Sequence, residues 1–348
     1  MPTIYDYLVY YKDTSVAQVP WNEMDDLLCA LLVYMPLTSF VGPRPMSQIA
    51  SQIIAAPLIP PYDFIAPETK KLAQLLLRSR RYRKLHISHF VNRVDEQMQF
   101  GAMTARLGKI TVVSFKGSNR TLISWWENFR MFYQYPTVTQ KEACTYLQRR
   151  ITIFDRHVRV VGHSKGGNLA LVSCMHLPQH QQHRIQAIAS YDGPGVRQEQ
   201  YRSRAYKRLL PRLTNYLPCR SYVGCLLYND HYRYVATSAF PFNQHFPTTW
   251  EVFGQYLVPG KLHTLSDKLH KQTTDKLSSL DDVKLAEAIE STFAALEYGA
   301  DGELDFSLHN FLHVYQNLKN IDPAIKQYVR SVITSVMHLQ NLREKGGC

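Results

Sequence analysis

Two rhythms of apolar and polar positions divide the chain. From about Asn22 to Val91 the apolar residues recur at helical spacing, with Asn22 as an N-cap ahead of Met24, Leu27, Leu28, Leu31 and Leu32. Prolines at 36, 43, 45, 57, 60, 61 and 67 cut this region into short pieces. Pro67 and Glu68 predict the start of a helix carrying Leu72, Leu75 and Leu76 on one side. The middle of the chain changes period. The β-branched run 109–115 reads as a buried strand, and further strands are predicted at 158–161, 184–191, 212–216 and 232–237. Between them lie helical patterns at 121–131, 139–149 and 164–175. This alternation predicts an α/β fold with a mostly parallel sheet and crossover helices. From Leu262 onward the strand pattern stops, and 283–296, 308–318 and 325–342 read as amphipathic helices. The expected organisation is one domain over 1–260, its N-terminal region helical, and a helical appendage or cap over 261–348.

Composition narrows the class without choosing a function. A chain of 348 residues, 45% hydrophobic and 20% charged, can bury a large core and needs no disulfide or metal staple. The charge balance departs from the ordinary: 40 Lys and Arg against 28 Asp and Glu leave +12, a field that attracts polyanions. Its densest block is Arg78, Arg80, Arg81, Arg83 and Lys84, readable as a solvated helix end or as an anion-binding patch. The six cysteines, at 29, 144, 174, 219, 225 and 348, form no CxxC pair and no zinc-type spacing. The segment Met1–Tyr7 lacks a basic, apolar leader, and 27–41 is too short and too interrupted to span a bilayer. A reducing cytoplasm is the expected location.

The chemistry concentrates in Gly162-His163-Ser164-Lys165-Gly166, followed by Gly167. The Gly-x-Ser-x-Gly pattern alone is weak, because glycine and serine are common. Here it directly follows a predicted strand and opens a predicted helix, the context of a nucleophile elbow. A serine hydroxyl needs a histidine base, itself oriented by a carboxylate. Seven histidines, 231, 245, 263, 270, 309, 313 and 338, follow the segment at Asp192, most of them in the helical tail. His309 and His313 have i,i+4 spacing but no evident third ligand, so no metal is expected. His245 sits in the irregular Gln244-His245-Phe246-Pro247 loop just after a predicted strand and is the candidate base. Asp192, at the end of the strand after the Ser164 helix, is the first candidate acid, although Asp-Gly is also an ordinary turn signal. Asp230, one crossover later, is the alternative. For the oxyanion, the amide of Lys165 opens the helix, and Ser118, in Lys116-Gly117-Ser118 after the strand at 109–115, supplies a second donor unless it merely caps a helix.

These residues together resemble the class 3 lipases, an α/β-hydrolase group, and most of all an uncharacterised bacterial, mainly Gram-positive, branch of them. Phe115-Lys116-Gly117-Ser118 matches the family's Phe-Arg-Gly-Thr/Ser turn. The elbow matches its Gly-His-Ser-Leu-Gly-Gly, with lysine at 165 as in the bacterial branch. Asp192-Gly193-Pro194-Gly195 and Gln244-His245-Phe246-Pro247 match two further loops, and 5–8 and 21–25 fit as well. Phe246 replaces an aspartate, Asn119-Arg120 an acidic pair, and Asn128 an aspartate. In class 3 lipases the acid usually follows a later strand than Asp192, which keeps Asp230 in view.

The resemblance implies an α/β-hydrolase-like fold and hydrolysis of carboxylic esters, small or lipid. Ser164 is then the nucleophile, His245 the base, Asp192 the orienting acid, and Lys165 and Ser118 the oxyanion donors. The alternative is a non-catalytic protein of the same fold that binds an anionic membrane surface or another polyanion through its positive field, and in either case the Lys165 side chain beside the serine suits a phosphate headgroup. Neither a P-loop nor a Gly-x-Gly-x-x-Gly fingerprint is present, so no cofactor is expected. No zinc finger, RNP-type or helix-turn-helix signature points to nucleic acid.

Overall fold

The computed structural model describes residues 1–57, 65–264, 266 and 281–294. Its centre is an eight-stranded sheet in the order β1-β2-β3-β4-β5-β6-β7-β8. The strands are β1 (Arg44–Pro45), β2 (His86–Val94), β3 (Gln99–Leu107), β4 (Ile110–Phe115), β5 (His157–His163), β6 (Ile185–Tyr191), β7 (Leu213–Pro218) and β8 (Tyr232–Val235). From β4 to β8 every pairing is parallel, whereas β1 to β4 pair antiparallel. A small hairpin, β9 (Val252–Phe253) with β10 (Tyr256–Leu257), stands apart. This is the mostly parallel sheet with crossover helices that the alternation of strand and helix patterns predicts.

Period two decides which face each strand residue covers. Val112, Val161, Ala189 and Tyr191 pack with helices from the N-terminal region: α1 (Ile4–Tyr11), α2 (Glu23–Leu32), α3 (Met46–Ala55) and α4 (Ala66–Leu77). Their neighbours Val113, Val160 and Ile188 face the opposite cluster. There the sheet meets crossover helices α6 (Val138–Arg150) and α7 (Lys165–His176). The remaining helices are α5 (Leu122–Arg130), α8 (Gln179–Gln182), α9 (Gln198–Arg202), α10 (Arg204–Leu209) and α11 (Asp282–Ala294). The last of these lies on α5: Phe293 stacks on Trp126, and Arg130 pairs with Glu290 at 2.9 Å.

Several sequence expectations change at this level. Asn22 caps α2 by accepting from Met24 N at 2.9 Å, and Pro67 opens α4. The helical reading does not extend to Val91, however: β2 begins at His86, and β3 was not anticipated at all. Strand β3 is buried on both faces and built from small residues such as Gly101, Ala102 and Ala105, so it shows neither alternation nor β-branched enrichment. Within the basic block Arg81 is buried, bonded to Asp25 at 2.6 Å, whereas Arg78, Arg80, Arg83 and Lys84 are exposed. Asp26, also buried, pairs with Arg159 of β5 at 2.5 Å. The segments 308–318 and 325–342, with His270, His309, His313 and His338, lie outside the described residues, as does Cys348. The described cysteines are free. No helix among the described residues is long and apolar enough to cross a membrane.

Candidate active site

Strand β5, buried from Val160 to His163, carries the chain to the corner at Ser164, which is half-buried. Ser164 takes φ 57° and ψ −132° immediately ahead of α7. For a residue with a side chain this costs about 1–3 kcal/mol and persists only where the surroundings fix it. They do so on both sides: Ser164 N donates to Tyr191 O at 3.0 Å, and Ser164 O accepts from Gly167 N at 2.8 Å. The glycines are required by contact. A Cβ on Gly162 would overlap the Gly166 carbonyl, and one on Gly166 would overlap that of Phe115.

The neighbouring strand ends in the same way. Asp192 follows β6 at φ 49°, and its N–H donates to Tyr216 O at 2.8 Å. Its carboxylate is 1% exposed. Oδ1 accepts from Ser221 Oγ and, at 3.0 Å, from Gly224 N. Oδ2 lies 2.7 Å from Nδ1 of His245, a ring 21% exposed at the end of the short turn Pro241–His245. A carboxylate can only accept, so Nδ1 carries the hydrogen and Nε2 keeps its lone pair, the tautomer of a general base. Among the described residues the Ser164 hydroxyl makes no hydrogen bond, to this ring or to any other group.

Asp230 is half-buried and differently engaged. It accepts from the Tyr201 hydroxyl, whose pKa it raises, and bonds no histidine among the described residues.

The turn after β4 closes the corner. A Cβ on Gly117 would stand 2.9 Å from Ser164 Cβ, so this turn presses on the serine. Ser118 exchanges hydrogen bonds with the Asn128 side chain at 2.8 and 3.0 Å, and its N–H donates to no acceptor among the described residues. The N-cap position of helix α5 is Thr121, whose side chain makes no capping bond, and not Ser118. The amide of Lys165 is the first in α7, where the helix dipole favours negative charge. Its side chain overturns one expectation. It is 2% exposed and turns away from the serine, with Nζ at 3.0 Å from Gln99 O and 3.4 Å from Glu127 Oε2. An ammonium that close to a buried carboxylate is paired within the fold and offers no contact for a headgroup.

Two residues to which the sequence motifs assign no role, Tyr34 and His163, complete the surroundings. Tyr34 Oη accepts from Gly117 N at 2.9 Å and lies 2.9 Å from His163 Nδ1. His163 Nε2 is 2.8 Å from the His245 carbonyl. His163 lies inside the pentapeptide and was legible there. Tyr34 is 129 residues away, and nothing local signals it. No group of three His, Cys, Asp or Glu among the described residues is arranged to hold a metal.

A family model described as Mbeg1-like matches residues 76–294, a span that includes Ser118, Ser164, Asp192 and His245. No curated protein matches the sequence. Among solved structures, M37 lipase is similar at 14% identity and TM-score 0.35, over 57% of this chain and 67% of its own. A fungal lipase–inhibitor complex is similar at 16% identity and TM-score 0.36, over 66% of this chain and 92% of its own. Lip2 lipase from Yarrowia lipolytica is similar at 11% identity and TM-score 0.36, over 74% of this chain and 90% of its own.

Proposed function

The chain belongs to the Mbeg1-like family, and from that premise and the geometry of the sheet's corner we propose that it is a serine hydrolase of carboxylic esters. The observation that carries this reading is the 2.7 Å bond between a buried, otherwise satisfied carboxylate and Nδ1 of a partly exposed histidine, beside a serine held at positive φ. Ser164 Oγ attacks the acyl carbonyl as His245 Nε2 takes its proton, and Asp192 stabilises the imidazolium. The amides of Lys165 and Ser118 receive the oxyanion. The alkoxide leaving group takes the proton back from His245. Water, activated by the same nitrogen, then cleaves the acyl-enzyme and regenerates the serine. The hydroxyl must come within hydrogen-bond reach of Nε2 when substrate binds, a tightening common between free and complexed hydrolases. The resemblance to class 3 lipases favours acyl-lipid esters among the substrates.

Reaction with a fluorophosphonate probe and turnover of p-nitrophenyl butyrate test the proposal. Both are expected for the wild type and neither for Ser164→Ala, with the variant still folded. A folded wild type that resists the probe supports instead a non-catalytic protein held to anionic surfaces by its positive field, although the burial of Lys165 removes one contact which that alternative used.

A further inference from the structure

We infer that Tyr34 and His163 are positioning residues that tie the oxyanion turn and the catalytic base to one buried hydrogen-bonded chain; the inference rests on the hydrolase reading above. The polarity of the chain follows from its ends. The His245 carbonyl can only accept, so His163 Nε2, 2.8 Å away, carries a hydrogen. In the neutral ring Nδ1 then has a lone pair and accepts from the Tyr34 hydroxyl at 2.9 Å. That hydroxyl accepts in turn from Gly117 N at 2.9 Å. The run is therefore Gly117 N–H to Tyr34 O–H to His163 to the backbone oxygen of His245, with each donor pointing the same way.

This polarity needs a neutral His163: a protonated ring would put a donor against the tyrosine hydrogen and turn it to the other acceptor in its reach, the His163 carbonyl at 3.3 Å. Burial and the neighbouring His245 hold its pKa well below the usual histidine value. The ring has no exposed edge and makes no contact with the Ser164 hydroxyl, so it is not itself a base. Its two bonds act elsewhere. One fixes the backbone of His245, whose ring is hydrogen-bonded to Asp192. The other, through Tyr34, takes up the Gly117 amide. The next amide, that of Ser118, has no protein partner among the described residues, on a turn whose glycine abuts Ser164. Helix α2 ends just before Tyr34, at Leu32, so the N-terminal helical region sets the geometry of a site it does not line.

The experiment compares wild type, Tyr34→Phe, His163→Leu and His163→Gln as full chains. It uses p-nitrophenyl butyrate turnover per folded molecule and the rate of fluorophosphonate labelling. Glutamine can accept from Tyr34 through Oε1 and donate to the His245 carbonyl through Nε2, preserving the polarity that leucine abolishes. Tyr34→Phe and His163→Leu are expected to lower kcat and the labelling rate about 10- to 100-fold with KM little changed, the scale of a small misplacement of reacting groups. His163→Gln is expected to recover most of that loss. A purely structural role changes the amount of folded protein and leaves kcat per folded molecule alone, and that result overturns the inference. So does a glutamine variant as impaired as the leucine one. Should the wild type be labelled at Ser164 while all three variants match it, this inference fails and the hydrolase reading stands. Should the wild type be inert to both probes, the hydrolase reading fails and takes the inference with it.

Discussion

The replacement Asp192→Asn isolates the orientation of His245 from everything else in the site. The carboxylate's two oxygens have different duties. Oδ1 receives hydrogens from Ser221 Oγ and Gly224 N, and Oδ2 faces His245 Nδ1. An asparagine in the same place must keep its carbonyl oxygen toward the two donors, which turns its NH₂ toward the ring. Nδ1 is then obliged to accept, the hydrogen moves to Nε2, and Nε2 can no longer take a proton. The fold changes little, because the amide has the shape of the acid. A wrong tautomer in an otherwise intact triad lowers kcat by about 10⁴-fold, which is about 5.5 kcal/mol at 1.36 kcal/mol per factor of ten.

The assay is steady-state hydrolysis of p-nitrophenyl butyrate by Asp192→Asn, Asp230→Asn and Ser164→Ala, with urea unfolding as the control for structure. KM is expected to stay near the wild-type value for Asp192→Asn, because the lost interaction orients the base rather than the substrate. Asp230→Asn is expected to stay within about two-fold of wild type, since Asp230 meets Tyr201 and no histidine. Retention of more than about a tenth of wild-type kcat by Asp192→Asn, with Ser164→Ala inactive, refutes the reasoning. A large loss on Asp230→Asn returns the acid's role to that residue.

Three further outcomes follow from contacts around the corner. Gly166→Ala sets a methyl against the Phe115 carbonyl and is expected to cost about 1–3 kcal/mol, read as a lower urea midpoint with unchanged m-value. Lys165→Met leaves the Glu127 carboxylate buried without its cation and is expected to cost about 3–5 kcal/mol, with much of that restored by adding Glu127→Gln. His163 is held neutral in the fold below the ordinary value of 6.5, whereas the unfolded chain binds a proton there. Below pH 6.5 the unfolded state therefore carries more protons and stability falls with pH, at up to about 1.4 kcal/mol per pH unit from this group. Urea midpoints measured across that range should fall less steeply for His163→Gln.

What the sequence reveals about this site depends on how local the cause is. The elbow is legible because a strained turn between strand and helix requires glycines at fixed offsets, and Gly162, Gly166 and Gly167 stand at those offsets. Strands β4 to β7 are legible because parallel strands buried largely on both faces collect apolar residues, and the half-exposed edge strand β8 because of its two tyrosines and valine. β3 is equally buried but made of small residues, so its signature is lost, and the antiparallel half of the sheet goes unseen with it. Asp25 and Asp26 are both buried, because Arg81 and Arg159 reach them from 56 and 133 residues away, and nothing local in the sequence signals either pairing. The Lys165 side chain has the same history. Its pairing with Glu127 bridges 38 positions, and adjacency to Ser164 in the chain says nothing about the direction a buried side chain takes. Tyr34 belongs with these, visible only once the sheet has brought α2 beside the corner.

The same logic explains how the corner holds two residues at positive φ. Ser164 N donates to Tyr191 O, the last residue of β6, and Asp192 N donates to Tyr216 O on β7. Each corner residue thus extends the parallel ladder one bond past the strand it leaves. The Ser164–Asp192 spacing is then inherited from the β5–β6–β7 register, in which His163 pairs with Tyr191 and Tyr191 with Tyr216. A side chain placed by its own loop can drift, but one placed by a ladder moves only if the sheet moves. His245 lies outside that ladder on a short turn, and its position must come from side-chain contacts instead. These include the Asp192 carboxylate at its ring and, from β5, His163, which bonds its carbonyl and packs against its ring. Every group assigned to proton transfer is therefore referred, directly or through one hydrogen bond, to the ends of three adjacent parallel strands.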